Sequence, residues 1–218
     1  MKKGVNFMKS FSVSGERGSV SIFCALLLSV IVFSGCEETI VDTVPDTINS
    51  TKTFRNGQEG YYGCEDTFVH EAHPATNYSD GTLIHINSGS GTSAYGYLRF
   101  DLSYFPSGTK ITSANLMLFF SSAAVQSIET SRVLDSFDIS TVNYDTRPTS
   151  GSVTIADKTD EYRVNLPAAM IQEWVNNPDI NNGLEVKMHN SNEVTEAYSS
   201  EYATDASYRP MLEINYEE

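Results

Sequence analysis

The chain has 218 residues, with 14 Lys plus Arg against 28 Asp plus Glu and a net charge of −14 at pH 7. That acidity excludes nucleic acid as a natural partner, because no basic stripe is present to displace phosphate counterions. Long-range attraction to a polyanion is disfavoured too, although salt screens beyond about 8 Å and leaves room for a local patch.

Residues 1–35 read as a signal peptide. Lys2, Lys3, Lys9 and Arg17 lead into the almost wholly apolar run 20–33, whose 14 residues fall short of the roughly 20 that a spanning helix needs. The run ends in VFSGC, which resembles a bacterial lipobox, with Phe33 where Leu is usual. The resemblance implies that Cys36 is lipidated and becomes the first residue of the mature protein. The expected product is exported and lipid-anchored to the bacterial outer membrane, facing the cell surface or the periplasm. Removing Lys2, Lys3, Lys9, Arg17 and Glu16 leaves 10 basic and 27 acidic residues, a net of −17. Cys64 then has no disulfide partner and reads as a small apolar residue in a domain held together by its core.

Residues 36–60 comprise the lipidation site and a tether rich in Thr, Asp, Glu and Asn, and residues 61–218 are one domain. Short alternating runs recur along that domain: DTFVHE at 66–71, TLIHIN at 82–87, YLRFDL at 97–102, ANLMLFF at 114–120, GLEVKM at 183–188, VTEAYS at 194–199 and MLEINY at 211–216. Turn clusters such as PATNYSDG, NSGSG, FPSGT, RPTSG and NNPDINNG separate them. The pattern predicts an all-β, antiparallel sandwich. One stretch, LPAAMIQEWVNN at 166–177, predicts a short amphipathic helix, with Leu166, Met170 and Trp174 on one face and Pro178 past its end.

The succession DTFV, NYSDG, YLRFDLSYFPSGTKITSANLML, TVNYDTRP, a lone helix ending in Trp, NNGLEV and YSSEYATDASYRPMLEINY resembles the DNRLRE-domain proteins, grouped with the family 96 carbohydrate-binding modules. The resemblance covers residues 64–217 and implies a jelly-roll-like β-sandwich in extracellular, polysaccharide-related proteins, some of them binding acidic glycans such as alginate. The family usually carries tryptophans near positions 137 and 144, where this chain has Phe137 and Tyr144.

On the polar side of YLRFDLS, Arg99 and Asp101 stand two residues apart on one strand face, with Asp66, Glu201 and Arg209 in neighbouring segments of the family pattern. These five read as a structural ion-pair network, because charge buried in a sandwich is paired within the protein. Sugar recognition needs aromatic faces and polar forks. The carbohydrate-binding set read from the sequence is Tyr95, Tyr198 and Tyr202, with Asn192 and Lys187 as polar partners. No cofactor is expected beyond a structural calcium ion, for which Asn77, Asp80 and Asp205 offer oxygen ligands.

Enzyme signatures are missing: there is no G-x-S-x-G elbow, phosphate loop or dinucleotide fingerprint, and HEAHP lacks the helical spacing of a zinc protease. The expectation is a non-catalytic surface lipoprotein that holds polysaccharide through its sandwich. The alternative is a structural or adhesive envelope protein that contacts other surface proteins and has no glycan ligand.

Overall fold

The computed structural model describes residues 48–121, 128–156, 163–189 and 194–218. Cys36, with its expected lipidation, and Asn192 lie outside them. The described strands are β1 (Asn49–Phe54), β2 (Cys64–His70), β3 (Leu83–Ile86), β4 (Ala94–Phe100), β5 (Lys110–Met117), β6 (Ile128–Val133), β7 (Ser150–Ala156), β8 (Arg163–Leu166), β9 (Leu184–Met188), β10 (Thr195–Tyr198) and β11 (Met211–Glu217), and the helix α1 spans Ala168–Asn176.

Pairing between the described strands is antiparallel throughout. One sheet runs β2-β4-β9-β6-β7, a second runs β1-β11-β5-β8, and β3 and β10 form a ribbon. The ribbon is bridged to the chain after β5 through Phe120 and Ala197. The chain alternates between layers, with β4, β6 and β9 in one sheet and β5, β8 and β11 in the other, as in a jelly roll.

The two sheets meet because each presents one apolar row. Leu98, Phe100, Leu184 and Val186 from the five-stranded sheet join Leu116, Val164, Leu212 and Ile214 from the four-stranded sheet in a single buried cluster. Each such side chain contributes about 1.5–3 kcal/mol by leaving water. The helix closes this core with Ile171, Trp174 and Val175, at i, i+3 and i+4. Gln172 holds the helix to β5: its Oε1 accepts from the Ile111 N–H at 2.9 Å and its Nε2 donates to the Thr109 carbonyl at 2.8 Å. Pro167 precedes the helix and Pro178 follows it, so its borders lie where the sequence places them to within two residues, but Leu166 belongs to β8.

The set of strands differs from expectation. Asn49–Phe54, assigned to the tether, is β1, an edge strand paired with β11, and its Phe54 is 1% exposed in the core. An edge strand of NSTKTF needs one buried side chain, so its composition looks like a linker. Strands β6, β7 and β8 were not anticipated either. In β6 the hydroxyls of Thr130 and Ser131 are buried where an apolar residue would have announced a strand. Among the described residues no helix is long and apolar enough to cross a membrane.

Candidate functional site

Side chains of β4 alternate across the sheet, so Tyr95, Tyr97 and Arg99 share the face turned away from the core. The register places Val69 opposite Tyr95, Thr67 opposite Tyr97 and Glu65 opposite Arg99 on β2. On the other flank Glu185 of β9 lies opposite Tyr97, and Lys187 of β9 lies opposite Glu129 of β6. The loop 134–149 folds back over the middle of this face. Phe137 packs against Tyr97 at 5.4 Å between ring centroids, and Val142 joins Val69, Val133 and Tyr97 in a small second core.

The loop is anchored from outside itself. Asn77 Nδ2 donates to the carbonyls of Ile139 and Val142 at 2.9 and 2.7 Å, while its Oδ1 accepts from Ser79. Asp138 caps Ser140, Asn143 Oδ1 accepts from the amides of Asp145 and Thr146, and Asp135 accepts from Thr149. These Asx-type turns give the loop a fixed path without regular secondary structure. Beneath it Tyr97 is fully buried and donates its hydroxyl to Glu185 Oε2 at 2.8 Å. Burial, and then the Glu185 carboxylate, raise the Tyr97 pKa far above that of a free phenol.

Covering the centre of the row leaves its two ends open. At the Tyr95 end lies a groove of about 580 Å³ lined by Tyr95, Asp145, Arg147, Ser150, Glu185 and Lys187. Tyr95 and Tyr144 stack at 6.1 Å with 20° between their planes, and the Arg147 guanidinium sits 3.9 Å from the Tyr144 centroid. Arg147 makes no salt bridge with any described residue, and its Nη1 donates to the Tyr144 carbonyl at 2.5 Å. Lys187 Nζ is 3.4 Å from Glu129, which also bonds the His189 ring. Partial burial pushes the Glu129 pKa up, but the His189 and Lys187 bonds outweigh it and hold the carboxyl below its usual range.

The Arg99 end opens into a second depression, of about 530 Å³. Here Arg99 binds one oxygen of Glu65 through both Nη2 (2.6 Å) and Nε (3.1 Å) and lies 5.8 Å over Phe137.

The five-residue ion-pair network is therefore corrected. Arg99 pairs with Glu65 across the strands rather than with Asp101, whose carboxylate caps Ser103 at 2.8 Å. Asp66 faces the opposite side of the sheet, where it accepts from the Ser200 amide at 2.6 Å beside Glu201. Arg209 donates to the carbonyls of Tyr202 and Asn56, at 2.8 and 3.0 Å. The chain has separated these groups into three places, each locally satisfied.

The expected aromatic set is also divided. Tyr95 and Lys187 share the first groove. Tyr198 and Tyr202 do not join them: their rings lie 4.3 Å apart and pack on Tyr208 in a cluster of their own. Asn77 and Asp205, expected to bind calcium with Asp80, are occupied elsewhere, Asn77 by the loop and Asp205 by capping Ser207 at 2.9 Å. Among the described residues no group of three or more His, Cys, Asp or Glu side chains is placed to hold a metal ion. Tyr144, Arg147 and Glu185 were missed. Tyr144 and Arg147 are in plain view in TVNYDTRP, but a turn cluster gives no sign of which strand it covers.

Asp66 has the raised pKa, about 8, that an acid catalyst requires, caused first by burial and then by Glu201. It is 3% exposed and lines none of the depressions described, so the shift accompanies a structural carboxyl.

The sandwich and its tyrosine-bearing groove can be set beside known proteins. No curated protein matches the chain. The model of carbohydrate-binding module family 96 matches residues 60–216, from the loop after β1 to the penultimate residue of β11. That match takes in most of the chain, together with both depressions and the loop between them, and the chain belongs to carbohydrate-binding module family 96.

Proposed function

We propose that the protein holds polysaccharide without cleaving it, through the groove at the Tyr95 end of the five-stranded sheet. The observation that carries this reading is the groove-lining Tyr95 stacked with Tyr144, on which lies an Arg147 that makes no salt bridge with any described residue. Sugar rings dock their C–H faces on such aromatic surfaces, and a guanidinium fork takes two hydroxyls or a carboxylate in the same plane. Arg147, Lys187, Asp145 and Glu185 all line the groove, so its lining carries two charges of each sign on a chain of net charge −14. A uronate-bearing chain therefore meets far less repulsion there than over the rest of the surface.

Affinity electrophoresis of the purified protein in gels containing alginate, polygalacturonate or neutral glucans and mannans tests this. Retardation by at least one is expected, with affinity falling about tenfold in both Arg147→Ala and Tyr144→Ala and the thermal midpoint staying put in the exposed Arg147→Ala, since a stacking or charge-assisted contact contributes about 1–2 kcal/mol. Migration unaffected by all of them would favour instead a structural role through contacts with other envelope proteins.

The same proposal places the module on the outer membrane, held by lipid at Cys36. The lipobox-like VFSGC supports this. Metabolic labelling with a radioactive fatty acid is expected to mark the protein and to leave Cys36→Ser unmarked.

A further inference from the structure

The depression at the Arg99 end is outside the groove just discussed and has a different chemistry. Its rim carries Tyr62, which at 75% exposure is an unusually bare aromatic ring. Trp174, 3% exposed, and Asn181 line it too. Each has a buried polar atom without a partner among the described residues: the indole Nε1–H of Trp174, a donor, and Oδ1 of Asn181, an acceptor. The Asn181 side chain is held in this orientation, because its Nδ2 donates to the Phe100 carbonyl at 2.8 Å. Leaving a buried donor and a buried acceptor unmade is destabilising, so such atoms are paired with water or with a ligand. A sugar hydroxyl suits both, since it accepts and donates through one oxygen.

Charge narrows the ligand. Glu65, Asp101 and Asp179 line the depression against the single cation Arg99, which Glu65 already neutralises. An acidic sugar would meet two uncompensated carboxylates there, whereas a neutral ring meets hydrogen-bond acceptors.

We infer that this depression is a second carbohydrate site, specific for a neutral sugar ring that stacks on Tyr62 and hydrogen-bonds the Trp174 indole and the Asn181 amide oxygen. It stands independently of the first groove, and the loop 134–149 separates the two, with Ser136 bordering one and Asp145 and Arg147 the other.

Trp174 is the only tryptophan in the chain, so indole emission reports on this depression and not on the other. Titrating the purified protein with cellohexaose, xylohexaose and mannohexaose is expected to give a saturable red shift with at least one of them, as Nε1–H gains an acceptor. Tyr62→Ala, a change at an exposed position, should raise the half-saturating concentration about tenfold. Arg147→Ala should leave the titration as in the parent while weakening the first groove. Flat emission with all three sugars, as expected of a depression that holds only an ordered water, overturns the inference. So does a Tyr62→Ala titration that superimposes on the parent, or an Arg147→Ala variant in which the emission response is lost.

Discussion

A chain that begins at residue 60, where the family match begins, is expected to lose most of its stability, whereas one that begins at Pro45 keeps it. The compact unit that contains the sandwich starts at Pro45, and β1 supplies its edge. Truncation removes Phe54, whose ring meets Tyr61 at 5.3 Å, Phe105 at 5.6 Å and Tyr104 at 6.2 Å. Emptying a buried phenylalanine site costs about 3–5 kcal/mol. The cut also strips β11 of its six-residue partner and leaves an unpaired apolar-faced edge. Against a typical total of about 5–15 kcal/mol, the loss takes a large share. Urea unfolding followed by Trp174 emission should show the midpoint falling steeply for the residue-60 start, and falling by a large part of that amount for Phe54→Ala alone. Equal midpoints for the two starts would mean that β1 is dispensable.

The second large effect concerns pH and Asp66. Its folded pKa is raised to about 8, first by burial and second by Glu201, against an ordinary value of 3.8. A carboxyl raised on folding binds its proton more tightly in the native state. Its contribution is therefore complete below about pH 4 and is lost as pH climbs towards 8, by several kcal/mol over that window. Asp66→Asn keeps an oxygen for the Ser200 amide and replaces the acidic proton with a permanent N–H facing Glu201. The variant is expected to match the parent near pH 4 and to be several kcal/mol more stable at pH 8. Comparing the two cancels the carboxylates that do not interact with Asp66, since they are common to both, and leaves the Asp66–Glu201 pair as the source of the difference. Parallel stability curves from pH 4 to 8 would show that Asp66 is ionised at neutral pH after all.

Much of the fold can be read in one dimension because its cause is local. Alternation in YLRFDL, GLEVKM and MLEINY puts one apolar row on each strand, and two such rows exclude water only by stacking sheets. The helix is equally legible, since Pro167, Trp174 and Pro178 act within their own few residues. β1 was not legible, because a single buried ring among polar neighbours does not distinguish an edge strand from a linker. Arg99 and Asp101 looked like partners on the basis of spacing alone. Residue i, i+2 spacing places two groups on one face only while the strand lasts, and β4 ends at Phe100. Arg99 finds its partner on the neighbouring strand, and Asp101 turns to cap the loop that follows.

The site divides along the same line. Composition and the order of motifs determine the acidity of the chain, its β-sandwich class and the family to which it belongs. That Tyr95 is half-buried and Tyr97 fully buried, on the same face of one strand, is decided by loop 134–149 folding back to set Phe137 over the latter. Strand register and loop docking join residues as far apart as Tyr97 and Glu185, or Asn77 and Val142. Such contacts are selected by the packing of the whole sandwich and not by neighbouring residues, so the two depressions and their unlike charges exist only once the tertiary structure has formed.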